Sequence, residues 1–349
     1  MEVKNFSENL VYLTKDIIGI GGQIKSVPEH FSVEEIPAYN PSGEGEHVYV
    51  SITRESIAST EMQKKLSELF GIHYNDIGFA GLKDKHARTT QVFSLLIKEI
   101  DMNLIASKIA ELGVKVNWIK RHKNKLKPGH LDGNLFQILV LHPHPDHVLK
   151  QAEKIRKILL VKGVPNYFGM QRFGVNGNNH EEGKEILFGR KKLGKWINKF
   201  LISAYQSSLF NLWLADRIRN GLFDKILEGD VAMKEDSGGA FVVENLNTNV
   251  EQRRLDAGEI SITGPIFGYR MKKSLGKSGE IEERIFSDEG LSHDVLKKAG
   301  LKGVRRSARI VVKEINIENK SNGLLFSFTL PKAAYATCVL REFMKIDGL

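Results

Sequence analysis

The sequence predicts a mixed α+β protein in which a mostly helical block interrupts a strand-rich one. In the first half, extended and helical patterns alternate without the even spacing of a doubly wound sheet. Helical patterns then run through Leu201 to Ile218 and Leu291 to Ala299. Extended segments return at Ala308 to Ile317 and Leu324 to Leu330. A block of this kind between two strand-rich blocks reads as an insertion, with the last strands rejoining the first sheet. At 349 residues the chain also exceeds the usual size of one hydrophobic core, so two domains are expected. They are residues 1–160 with 315–349, and an inserted domain, residues 161–314.

The segment Phe31 to Ile36 reads as a strand, and Pro37 to Glu46 as a loop rich in turn formers. Val48, Val50 and Ile52 alternate with Tyr49, Ser51 and Thr53, the period of a half-buried strand. A helix follows. Thr60 and Gln63 have capping-box spacing, Met62, Leu66, Leu69 and Phe70 form one apolar stripe, and Gly71 supplies the stop. Strands are expected from Gln91 to Ile97 and from Leu135 to Leu141. A helix should then turn Val148, Leu149, Ala152, Ile155 and Leu159 inward. Lys162 to Gly169 is turn-rich, and Ala333 to Lys345 reads as a final helix. No internal repeat or low-complexity tract is found.

Composition narrows the function. Hydrophobic residues make up 41% and charged residues 27%, ordinary for a globular protein. The opening Met1-Glu-Val-Lys-Asn-Phe-Ser7 has no apolar signal region, and no stretch approaches the roughly 20 apolar residues of a membrane span, so a cytoplasmic protein is expected. The single cysteine, Cys338, rules out an intrachain disulfide and a multi-thiolate zinc site, and its apolar surroundings predict a buried small hydrophobe. Lysine and arginine number 51 against 42 acids, a net charge of +9 that suits a polyanionic partner. The basic residues cluster in Lys120 to His130, in Arg190 to Lys195 beside Trp196, at Lys272, Lys273 and Lys277, and in the pair Arg305 and Arg306. Basic patches with aromatics beside them point to nucleic acid, the backbone tracked by charge and the bases stacked.

Several constellations compete for the chemistry. Gly19-Ile-Gly-Gly22 lacks the spacing of a dinucleotide loop and reads as a turn, and no Gly-x-x-x-x-Gly-Lys phosphate loop is present. His142-Pro-His-Pro-Asp-His147 offers imidazoles and a carboxylate, but two prolines stiffen it, no second ligand cluster exists, and Asp146 suits a helix N-cap, so no metal is expected. Phe79-Ala-Gly-Leu-Lys-Asp-Lys-His-Ala87 places Asp84 between two lysines just after a small-residue turn. A solvated turn has this composition too. A usable buried nucleophile would need a cation beside it, because burial raises a carboxylate's pKa and an ion pair lowers it. Spacing alone does not choose between the two.

The chain resembles the TruD-type tRNA pseudouridine synthases. The resemblance takes in Lys25-Ser-Val-Pro-Glu-His-Phe31, Gly43-Glu-Gly-Glu-His47, the Asp84 run, Arg121-His-Lys-Asn-Lys125 and Gly133-Asn-Leu-Phe136. It continues through Val164-Pro-Asn-Tyr-Phe-Gly-Met-Gln-Arg-Phe-Gly174, Ser203-Ala-Tyr-Gln-Ser-Ser-Leu-Phe-Asn211, Gly264-Pro265 and Leu330-Pro331, covering nearly the whole chain in order. It implies a pseudouridine-synthase catalytic domain with a mixed, mainly antiparallel sheet flanked by helices, built from both ends of the chain, and an inserted family-specific α+β domain. It implies that Asp84 is the nucleophile, that Lys25 is the basic residue pairing with it, and that Phe31, Asn134 and Tyr335 line the uridine pocket. Phe136 falls where the family places an aromatic ring near the target base. Tyr335 stands where many relatives have phenylalanine, and Leu82 where some have glutamine. The activity implied is isomerisation of uridine to pseudouridine in tRNA, at position 13 of the D arm, by a monomer without cofactor or nucleotide. The alternative is a non-catalytic RNA-binding protein using the same basic surfaces.

Overall fold

The computed structural model describes residues 10–83, 85–98, 101–144, 147–174 and 176–346. Three features read from the sequence, the opening segment, Asp84 and Asp146, lie outside them. The chain divides into two compact units. One consists of Gly21–Leu149 and Val312–Ala334, the other of the described parts of Met1–Ile20, Lys150–Val311 and Tyr335–Leu349. Residues 10–20, 150–160 and 335–346, expected with the first sheet, thus fall in the second unit, and residues 312–314, expected in the insertion, fall in the first.

In the first unit, β1 (Phe31–Pro37) leads through the turn-rich loop to β2 (His47–Glu55) and α1 (Ser59–Phe70). The capping box expected at Thr60 and Gln63 does not form. The helix starts after an extended Ala58 with no side-chain cap. Gln63 is buried, and its amide donates to the carbonyls of Tyr74 at 3.2 Å and Ile77 at 2.9 Å. Those carbonyls need a donor, and that need outweighs the helix cap. Gly71 ends the helix as expected, left-handed at φ 62° with its N–H on the Ser67 carbonyl.

The chain continues through β3 (Ile77–Phe79) and β4 (Arg88–Leu96). Then come α2 (Met102–Ala110) and β5 (Lys115–His122), two elements the sequence reading did not resolve. Asp101 caps α2 through a 2.9 Å bond from the Asn103 N–H. The basic tract from Lys120 begins inside β5. β6 (Leu131–Leu141) starts four residues before the expected Leu135 and takes in Gly133. The glycine is sterically required, because a Cβ there would lie 2.3 Å from the Leu330 carbonyl oxygen.

The second unit holds most of α3 (Val148–Lys162), in which Ala152, Ile155 and Leu159 are buried and Leu149 is partly exposed. There follow β7 (Val164–Pro165), α4 (Asn179–Leu187), α5 (Lys195–Arg219), β8 (Val231–Lys234), β9 (Ala240–Val242), α6 (Thr248–Asp256), β10 (Ile260–Ile266), α7 (Gly276–Asp288), α8 (His293–Lys298), β11 (Val304–Ser307) and β12 (Arg309–Ile310). The strands form a four-stranded sheet in the order β11-β10-β8-β9, with β12 paired to β7. The long helix α5 buries Leu209, Phe210, Trp213 and Leu214. Cys338 is buried as expected. Its thiol lies 3.1 Å from the Tyr167 carbonyl, and burial pushes its pKa up to about 11.

β13 (Ile315–Lys320) and β14 (Gly323–Pro331) return to the first unit, and α9 (Ala336–Met344) ends the described chain. Among the described residues the first sheet has eight strands in the order β13-β14-β6-β1-β4-β2-β5, with β3 beside β4. Only the β1–β4 pair is parallel. The sheet is therefore mixed and mainly antiparallel, with the C-terminal strands rejoining it, as expected. Val48, Val50, Ile52, Phe93 and Leu95 pack against Met62 and Leu66 of α1 and Ile105 and Ile109 of α2. No described helix is long and apolar enough to cross a membrane.

The close approach of β6 to β14 yields a test. Gly133→Ala should destabilise the protein by about 1–3 kcal/mol in urea unfolding, because strand backbones cannot yield as a flexible side chain does. An unchanged midpoint would show that the two strands separate freely.

Candidate active site

Phe31, Val33 and Glu35 are the buried positions of β1. Their register partners across β6 are Ile138, Phe136 and Asn134, and residues opposite one another share a face. Phe31 meets Phe136 edge-on, with centroids 6.3 Å apart, and Phe136 stacks on Phe328 of β14 at 5.8 Å. Phe31 and Phe136 are largely buried by this packing, at 5% and 7% exposure. Lys25 sits in the left-handed region at φ 60°, a conformation costly for a lysine, and its Nζ lies 4.4 Å over the Phe31 ring.

A buried polar network occupies the same face. The Lys83 ammonium lies 3.1 Å from Glu35 Oε2 and donates to Asn134 Oδ1 at 2.5 Å. The Lys83 and Glu35 side chains are 5% and 1% exposed. Because an ammonium only donates, Asn134 must turn its oxygen to Lys83, which leaves its amide N–H groups as the free donors. The Glu35 carboxylate also accepts from the Val92 N–H and from Gln91 Nε2, each at 3.4 Å.

Gln91 Nε2 reaches the Gly81 carbonyl at 2.5 Å, and Gln91 Oε1 accepts from Arg54 Nη2 and Ser59 Oγ, each at 2.9 Å. Ser59 Oγ in turn accepts the Lys83 backbone N–H at 3.0 Å. The segment ending at Lys83 is thus held by backbone and by side chain. On the other side of residue 84, the Ala87 carbonyl accepts from the Ser56 N–H and Arg88 opens β4. Burial draws the Lys83 ammonium below the ordinary lysine pKa, and the Glu35 carboxylate opposes the shift. Burial likewise lowers the Arg54 guanidinium to about 10.

Lys25, Phe31, Asn134 and Phe136 therefore come together on one unit. Tyr335, 40% exposed, belongs to the other and immediately precedes α9. The sequence reading missed the supporting residues Glu35, Arg54, Ser59 and Gln91, and took Lys83 only for a neighbour of Asp84. Glu35 carried a signal, a carboxylate at an inward position of an alternating strand. Arg305 and Arg306, read as part of a polyanion-binding surface, are used internally. Arg305 is buried and pairs with Glu282 at 2.7 Å, and Arg306 Nη2 donates to the Asn166 carbonyl at 3.1 Å. Among the described residues no cluster of histidine, cysteine and carboxylate has the geometry to hold a metal ion.

A solved structure described as a candidate tRNA pseudouridine synthase D (TruD) from Methanosarcina mazei superposes with a TM-score of 0.83 at 26% identity, covering 100% of this chain and 99% of its own. This shared fold places the chain in the pseudouridine synthase class. The sequence profile of the family described as tRNA pseudouridine synthase D (TruD) matches residues 8–193 and 190–343. Curated relatives carrying that name come from Thermus thermophilus, 40% identical over 98% of this chain and 94% of theirs, and from an Anaeromyxobacter species, 37% identical over 95% of each. The chain belongs to the TruD family.

Glu35→Gln should leave the Lys83 ammonium buried without its carboxylate and destabilise the fold by about 3 kcal/mol. The lysine's folded-state pKa then falls further below its unfolded value of 10.5. The unfolded chain binds more protons at alkaline pH, so the variant's stability should rise with pH there. The double variant Glu35→Gln/Lys83→Met should recover part of the loss in urea unfolding. Strict additivity of the two single changes would show the pair to be uncoupled.

Proposed function

We propose that this chain isomerises uridine to pseudouridine in tRNA, at position 13 of the D arm, with Asp84 as the catalytic carboxylate. The observation that carries the reading is the anchoring of Lys83, the residue before Asp84. One buried network holds its backbone and its ammonium, and the same ammonium orients Asn134. The family's relatives are named for this reaction and this substrate. The sheet is the core of the proposed catalytic domain, residues 1–160 and 315–349, with 161–314 as the insertion.

A uridine stacked inside folded RNA is out of reach and must be extruded into a pocket. The amide N–H groups of Asn134 then serve as donors to a uracil carbonyl. The edges of Phe31 and Phe136 left exposed form apolar walls, and Lys25 keeps the Asp84 carboxylate ionised. The C1′–N1 bond breaks with participation of Asp84, the uracil turns within the pocket, and a C1′–C5 bond forms. C5 loses its proton and N1 gains one, so atoms and electrons balance without redox partner or group donor.

Asp84→Asn should abolish pseudouridine formation in tRNA transcripts, read by carbodiimide adducts and primer extension, while tRNA affinity stays nearly unchanged. Modification that persists in the variant would remove Asp84 from the chemistry. A wild-type chain that binds tRNA but leaves every uridine intact would favour the non-catalytic RNA-binding alternative.

A further inference from the structure

The basic clusters differ in how much of their charge is already used. Lys123 pairs with Glu44 at 2.6 Å, Lys125 donates to the Asn75 carbonyl and Lys272 to that of Ala240. Arg190 and Lys191 pair with Glu185 and Glu182 at 2.9 and 2.7 Å. Lys192, Lys195 and Lys199 are exposed and form no ion pair among the described residues. They lie before and within the first two turns of α5, whose first turn carries no acid.

Among these lysines stands Trp196, 75% exposed. Its ring is parallel to that of Phe200 within 8°, with centroids 5.8 Å apart. The Arg172 guanidinium lies 5.8 Å from the Phe200 centroid and is held by Ser203 and Ser207, so the pair is braced from one side. Leu201, Ile202 and Tyr205 bury the opposite side of this end of α5, and the helix does not need Trp196 for anchorage. A flat aromatic surface exposed among three unpaired lysines has the two properties that single-stranded nucleic acid recognises, a stacking plane and cations for the adjoining phosphates.

We propose that the first two turns of α5 form a docking surface for an unpaired RNA segment. A base stacks on Trp196 and its flanking phosphates lie along Lys192, Lys195 and Lys199. The proposal rests on tRNA being the substrate and adds a contact in the inserted part of the chain, outside the candidate active site. Charge complementarity selects RNA over a second copy of this basic chain.

The test titrates the full chain with tRNA transcript and with a short oligouridylate, following tryptophan fluorescence and the salt dependence of affinity. Stacking should quench Trp196, with the fully buried Trp213 contributing a steady background, and the part of the quench lost in Trp196→Ala separates it from the half-buried Trp118. Trp196→Ala should weaken tRNA binding about 5- to 150-fold, the range for one stacked base, and Trp196→Phe should restore most of it. Replacing the three lysines with alanine should flatten the log–log salt slope by about 2. Modification at saturating tRNA and the unfolding midpoint should stay at wild-type values in both. Unchanged affinity in Trp196→Ala, in a chain whose wild type modifies tRNA, overturns this surface alone. Failure of the wild type to bind or modify tRNA overturns the reading beneath it. Conversion of an oligomer to a monomer by Trp196→Ala, with RNA affinity unchanged, would make the patch an interface between copies and overturn the proposal.

Discussion

The buried ion pair between Glu35 and Lys83 is the constraint on which the arrangement of the site depends. Two charges almost wholly removed from water are tolerated only when each meets the other and their remaining hydrogen-bonding capacity is filled. Here the remainder falls on the Val92 N–H and the amides of Gln91 and Asn134. Those partners belong to β4 and β6, the two neighbours of β1, so satisfying the pair fixes their registers together. A one-residue slip of β6 would carry Asn134 to the opposite face and leave the ammonium short of an acceptor. Electrostatic satisfaction and strand register are thus one requirement.

Close backbone approaches serve the same end. A Cβ at Gly78 would lie 2.1 Å from the Leu126 carbonyl, and one at Gly133 would strike Leu330. These glycines let β3 and β6 come near segments that larger residues would hold apart. Gly78 lies on the strand leading into the turn before Asp84, and Gly133 stands next to Asn134. Both tighten the frame around the site without touching it. Their value is steric, since neither adopts a positive φ.

Much of the first sheet was legible because its strands alternate in a simple way. The run from Val48 to Thr53 and the Gly71 stop of α1 both correspond to observed elements, but Tyr49 and Ser51 are buried too, so β2 is covered on both faces and not half-buried as expected. The four-stranded sheet was not legible, since β8, β9 and β11 have three or four residues each, too few to show a period. The family motifs brought Lys25, Phe31, Asn134 and Phe136 to attention. Apart from Glu35, the polar residues that hold them were invisible because their roles come from long-range pairing. Arg54, Ser59 and Gln91 meet only when α1 packs on β2 and β4, and no local spacing announces that. The capping box at Thr60 and Gln63 failed for the same reason, a tertiary demand on Gln63 overriding a local one.

The basic character of the chain shows the same division from the side of charge. A count of lysine and arginine points to a polyanion without saying where it binds, because the cations fall into two populations. Arg54, Arg217, Arg305 and Arg309 are buried, and their forked guanidinium groups each satisfy several acceptors inside the fold. An ammonium is more strongly hydrated, so most lysines stay at the surface, whereas Lys83 is drawn inside by its pairing with Glu35. Among the described residues, Lys120, Lys127, Lys273 and Lys277 also form no ion pair, but at the start of α5 three such lysines accompany an exposed tryptophan. Net charge therefore points to the kind of partner, and the internal pairing narrows which cations remain to meet it.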